Sequence, residues 1–144
     1  MPDSSEPRGR IVRTEKDGKP ILWTYVPEMP CEDERLVCPW LAVLRWQYDG
    51  SDNNGMPDEE ANRGMLAIDD ALGTIEQPKY CTEAYRRVGN NLREFVLYIA
   101  DQEQFLASLN NALADHPRFP IEIKFYEDKE WSDFQQLIDD FSEA

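Results

Sequence analysis

The hydrophobic and polar positions of this chain change period several times, and each change marks an element. "RIVRTEKDGKPILWTYV" gives two β-rich runs around Asp17-Gly18, a strong short-range hairpin signal, with Pro20 suiting an edge strand. "PEMPCEDER" then reads as a linker rich in proline and charge. From Val37, "VCPWLAVLRWQYD" alternates with period two: Trp40, Ala42, Leu44, Trp46 and Tyr48 share one face, and Leu41, Val43, Arg45 and Gln47 share the other. In "PDEEANRGMLAIDDALGTIEQP" the apolar positions Ala61, Met65, Ile68, Leu72 and Ile75 step by four and three, one stripe of a helix.

"YCTEAYRRVGNNLREFVLYIAD" predicts two strands around Gly89-Asn90-Asn91, residues that tolerate the positive φ of a tight hairpin. A second helix, "QEQFLASLNNALADH", stops at Pro117. A last strand, "PIEIKFYED", turns Ile121, Ile123 and Phe125 inward. A terminal helix carries Trp131, Phe134, Leu137, Ile138 and Phe141 on one face. The expected fold is α+β, one domain over 1–144. It comprises a polar leader (1–9), an amino-terminal hairpin (10–26), a ferredoxin-like β-α-β-β-α-β antiparallel core (37–127), and a carboxy-terminal helix (128–144). Both core helices, 57–76 and 102–115, are expected on one face of a four-stranded sheet.

That arrangement leaves Leu41, Val43, Val96, Tyr98 and Tyr126 on the far face, and a contiguous apolar patch rarely stays bare on a monomer. The expected cover is the amino-terminal hairpin, a second copy or a partner, with the hairpin either lying over the face or extending its edge. A candidate binding surface follows: Trp23, Tyr25, Tyr98, Tyr126 and Trp131. For Trp131, packing on the sheet edge below a cap from Asp128 is the preferred role, with ligand stacking the lesser one.

Composition narrows the chemistry. The 144 residues hold 29 acidic and 15 basic side chains, a formal net charge of -14. Such a field repels nucleic acid and anionic lipid and attracts basic partners. A hydrophobic content of 41% with 16 aromatic residues (four Trp, six Tyr, six Phe) is that of a folded chain. "MPDSSEPRGR" has no apolar stretch of the signal-peptide kind, and "WLAVL" and "FVLYIA" are far short of a membrane span, so a cytoplasmic protein is expected. Cys31, Cys38 and Cys81 are an odd set with no C-x-x-C and read as structural thiols.

Candidate catalytic and metal sites reduce to structural readings. "YDGSDNNGMPDEE" resembles a calcium loop, but a strand precedes it, its sixth position is Asn54 rather than Gly, and Pro57 stands ninth. A strand-to-helix turn accounts for it: Asn53, Asn54 and Gly55 turn the chain, and Pro57 suits the first helical position. His116 is the only histidine, which excludes a histidine metal cluster and reads as a helix-end residue. No phosphate-cradling glycine motif occurs. Hence no catalytic residue, metal or cofactor is expected.

"GKPI" and "W-T-Y" in the hairpin, "N-G-M-P" after the first core strand, "REFVLYIAD" and "FYEDKEW" together resemble the bacterial domain-of-unknown-function 695 family. The resemblance implies a fold and no established activity. Some members look like relatives of the regulator of ribonuclease activity B, a small acidic ferredoxin-like protein that inhibits an endoribonuclease by binding it. By that fold analogy the leading expectation is a non-enzymatic protein-binding or regulatory module whose partner is another protein, a basic one suiting the charge, with a homodimer also open. The alternative is a small-molecule-binding or enzymatic domain with a pocket between sheet and hairpin, lined by Trp23, Tyr25, Tyr98 and Tyr126.

Overall fold

A computed structural model describes residues 9–77 and 79–142. The leader read over 1–9 lies, except for Gly9, outside them, as does the end of the terminal segment beyond residue 142. The elements in chain order are β1 (Arg10–Lys16), β2 (Lys19–Tyr25), α1 (Glu32–Val37), β3 (Trp40–Gln47), α2 (Glu59–Ile75), β4 (Cys81–Gly89), β5 (Leu92–Ile99), α3 (Gln102–Ala112), β6 (Ile121–Glu127) and α4 (Ser132–Phe141). The strands form one sheet in the order β1-β2-β4-β5-β3-β6, every pairing antiparallel. It has six strands rather than four because the hairpin joins it at β4, with Trp23 opposite Arg87 and Tyr25 opposite Tyr85.

Both tight turns use the predicted residues. Asp17 and Gly18 take φ of 55° and 79°, and Asn90 and Asn91 take 50° and 67°, the left-handed geometry that matches strand twist. The loop over 49–57 is the turn the sequence implies. Asn54 and Gly55 have positive φ, the Asn53 amide nitrogen donates to the Pro57 carbonyl at 3.0 Å, and the Tyr48 hydroxyl donates to the Gly55 carbonyl at 2.6 Å. One detail differs: Pro57 precedes the helix, and Asp58 is the cap, accepting the Ala61 N–H at 2.7 Å. The "PEMPCEDER" linker is also partly helical, since three acidic residues in one turn favour the positive end of α1.

The core helices lie where the periodicity puts them, on one face. Met65, Ile68, Leu72 and Ile75 of α2 and Phe105 and Leu109 of α3 bury against Ala42, Leu44, Trp46, Phe95, Leu97 and Ile99. The opposite face has its own core, made with α4: Trp131, Phe134 and Leu137 bury with Leu41, Val96, Tyr98, Tyr25 and Ala84. Of the two placements expected for the hairpin, the structure has the edge extension and not the cover, which α4 supplies. The hairpin only widens the sheet, because β2 satisfies its backbone in the plane of β4, while the apolar stripe of α4 needs a surface and the bare face supplies one. Among the described residues the hairpin lies in the sheet plane, so it does not stand over the sheet to form the expected pocket between them.

Candidate functional site

The face under α4 is only partly covered. The helix packs over Leu41, Val96 and Tyr98, and beside its first turn a cleft of about 350 Å³ remains. Its walls follow from strand alternation: Leu41, Val43 and Arg45 from β3, Glu94 and Val96 from β5, Tyr85 from β4, Tyr126 from β6, and Asp133 from the first turn of α4. Tyr126 remains 49% exposed. Arg45 Nε lies 3.1 Å from Glu94 Oε2, although its N–H is not aimed at that oxygen, and Arg87 Nε lies 4.0 Å from Glu94 Oε1. Glu94 is therefore held between two guanidiniums. The Arg87 guanidinium in turn lies 5.4 Å from the centre of the Trp23 ring. The Tyr85 hydroxyl donates to Asp133 Oδ2 at 2.8 Å. Burial, reinforced by the Asp133 charge, pushes that phenol far above its ordinary pKa and keeps it a donor. The cleft thus offers an apolar floor, one open aromatic ring and carboxylates.

Asp128, Trp131 and Tyr98 fix α4 beside it. Asp128 accepts N–H bonds from Ser132 at 2.8 Å and Asp133 at 3.0 Å, and the Tyr98 hydroxyl at 2.7 Å. Trp131, at φ 58°, stacks on Tyr98 with ring centres 4.0 Å apart and 7° between planes. Its indole N–H donates to the Cys38 carbonyl at 2.9 Å.

On the α2 face, Glu83 sits beside Arg86 (3.5 Å), which pairs with Asp69 at 2.7 Å. Burial raises the Glu83 carboxyl from 4.5 to about 7, against the pull of Arg86 and with help from Asp69 and Glu76. Because the folded state holds this proton more tightly than the unfolded chain, stability is highest below pH 4.5 as far as this group is concerned. It falls as pH rises toward about 7. Glu83→Gln is expected to raise the melting temperature at pH 8 and to flatten that part of the stability profile; thermal melts across the range check it. A larger groove, about 680 Å³, opens on this side between α2 and the segment before β6, with Trp46, Phe119, Arg63, His116 and Arg118 on its walls.

Of the five residues expected to form a binding surface, three do not. Tyr98 and Trp131 are fully buried and Tyr25 is 3% exposed, because all three belong to the core that α4 closes. Trp131 lies over the sheet's face and not at its edge. Trp23 is half-buried against Tyr85 and Phe141, and its indole N–H donates to Thr14 Oγ1 at 2.9 Å. Tyr126 alone lines the cleft. The residues missed, Arg45, Tyr85, Glu94 and Asp133, had a signal for two: period-two alternation places Arg45 with Val43 and Glu94 with Val96. Asp133 had none, since it depends on where α4 docks. The three cysteines are free, with Cys38 and Cys81 buried.

The geometry defines an α+β protein with a helix-flanked cleft on an antiparallel sheet. Comparison with protein families matches residues 11–138 to a family of unknown function (DUF695), and the chain belongs to that family. Neither curated proteins nor solved structures yield a match. Among the described residues, no helix is long and apolar enough to cross a membrane.

Proposed function

We propose that this protein is a non-enzymatic cytoplasmic binding module that docks a basic segment of another protein in the cleft beside α4. The observation that carries the reading is the uncovered part of the second sheet face, where Tyr126 is half exposed next to Val43 and the Asp133 carboxylate. A lysine or arginine side chain can lie along the Tyr126 ring and reach Asp133, and the net charge of -14 draws such a segment in. The order β4-β5-β3-β6, with α2 and α3 on one face, supports reading these elements as a ferredoxin-like unit widened by the hairpin. On that reading a fold analogy to the regulator of ribonuclease activity B supports the same class of action, binding rather than catalysis. A second reading, small-molecule binding, is favoured only by the groove at Trp46 and Phe119.

A fluorescent lysine-rich peptide tests the first reading. It is expected to bind at low salt and release at high salt. Tyr126→Ala and Asp133→Asn should each weaken it about fivefold, the size of a ~1 kcal/mol cation–π or charge contact. Asp139→Asn, where the Asp139 carboxylate accepts from the Gln135 amide along exposed α4 surface, should change little. Equal losses in all three variants would mean diffuse charge attraction and no site.

A further inference from the structure

The edge strand β6 is paired on one side only, with β3, and its other side ends the sheet. We propose that a second copy of this chain docks there, β6 against β6 antiparallel about a two-fold axis at Ile123, joining two six-stranded sheets into one.

The backbone is set for it. The Asp128 N–H donates to the directly opposed Pro39 carbonyl at 2.8 Å, one step beyond the Trp40–Glu127 pair. Alternation along an antiparallel ladder then commits Glu122, Lys124 and Tyr126 to β3 and turns the N–H and C=O of Ile123 and Phe125 outward. Ile121 already spends its N–H on the Phe119 carbonyl at 2.9 Å. Ile123 facing its own counterpart is thus a hydrogen-bonded pair of the new ladder.

The side chains select that register. With Ile123 on the axis, Glu122 opposes Lys124 of the second copy, Lys124 opposes its Glu122, and Ile121 opposes its Phe125. Sliding the copies by two residues sets Lys124 on Lys124 in one direction and Glu122 on Glu122 in the other, and like charges directly opposed destabilise. Sliding by one inverts the faces and puts Ile and Phe against charge. Beside the edge, Leu109, Leu113, Phe119, Ile121 and Ile123 line a groove of about 370 Å³ that the incoming Phe125 can fill. The other free edge lacks this fit: setting Arg13 of β1 against Glu15 of a copy sets Val12 against Lys16.

The strand β6 also carries Tyr126 of the basic-segment cleft, and salt separates the two sites. Two copies each carrying -14 repel, so the dimer tightens as salt rises, whereas the cleft's ligand is released. Sedimentation of the full chain over a concentration series is the test. The dimer should appear, strengthen with salt, and weaken about tenfold or more in Lys124→Glu, which opposes carboxylates at two places. Adding Glu122→Lys to that variant re-creates both opposite-charge pairs and should restore it. Ile123→Pro, which deletes an outward N–H and leaves the β3 ladder intact, should give a folded monomer. A wild-type chain that stays monomeric at every concentration, a dimer indifferent to Lys124→Glu and Ile123→Pro, or a charge swap that fails to restore association would each overturn the proposal.

Discussion

Replacing Trp131 by alanine is expected to lower the unfolding free energy by about 3–5 kcal/mol, the usual cost of emptying a buried tryptophan site. Three contributions coincide at this residue. The indole is fully buried and stacked on Tyr98, so the cavity cannot be refilled by water without wetting a core. Its N–H satisfies the Cys38 carbonyl, which would lose its partner. And α4 is anchored through the turn that Asp128 and Trp131 make, so loosening it uncovers Leu41, Val96 and Tyr98 together. Denaturant melts should report the loss, and binding of a hydrophobic dye to the variant below its transition should report the uncovered face. A drop under ~1 kcal/mol would mean that α4 is held without its tryptophan. Tyr98→Phe separates the contributions. It keeps the stack but removes the hydroxyl that donates to Asp128 and accepts the Phe134 N–H at 3.3 Å, for an expected cost of about 1–3 kcal/mol.

What could be read from the chain and what could not divide along the range of the interactions. The strand faces of β3, β5 and β6, the stripe of α2 and the two tight turns are local patterns, and the structure has them where the periodicity puts them. The stripe of α4 was equally plain. Its docking surface was not, because a helix stripe states that something must be covered without stating what. The same gap left the placement of Trp23 and Tyr25 open between the sheet's face and its edge. A hairpin needs a neighbour, but only the pairing of Trp23 with Arg87 and Tyr25 with Tyr85 decides that the neighbour is the edge of β4 rather than the sheet's face. Once α4 took the face, Tyr98 and Trp131 became core, and the cleft shifted to Val43, Glu94 and Tyr126, residues that mean little until the helix end beside them is fixed.

The seam between hairpin and core can be opened at one position. Gly89 has φ 142°, a backbone region that L side chains rarely adopt, and a Cβ there would lie 2.3 Å from the Pro20 carbonyl oxygen and 2.8 Å from the Ile21 Cα. Both are backbone atoms of β2, so neither can rotate away as a side-chain tip would. Gly89→Ala must therefore strain its own dihedrals, at about 1–3 kcal/mol, and push β2 off β4 as well. The expected result is a loss exceeding ~3 kcal/mol in which β1 and β2 part from the sheet. Amide exchange should accelerate over 10–25 while β3, β5 and β6 keep their protection, and Trp23 fluorescence should shift to the red as its packing on Tyr85 and Phe141 is lost. Gly18→Ala is the control: φ there is also positive, at 79°, but nothing lies within 4 Å of the added Cβ. Its cost should stay near the ~1–2 kcal/mol of a left-handed alanine, with the hairpin still paired. Were Gly89→Ala no worse than Gly18→Ala, the β2–β4 seam would be loose enough to yield, and the hairpin would be an appendage of the sheet rather than two of its strands.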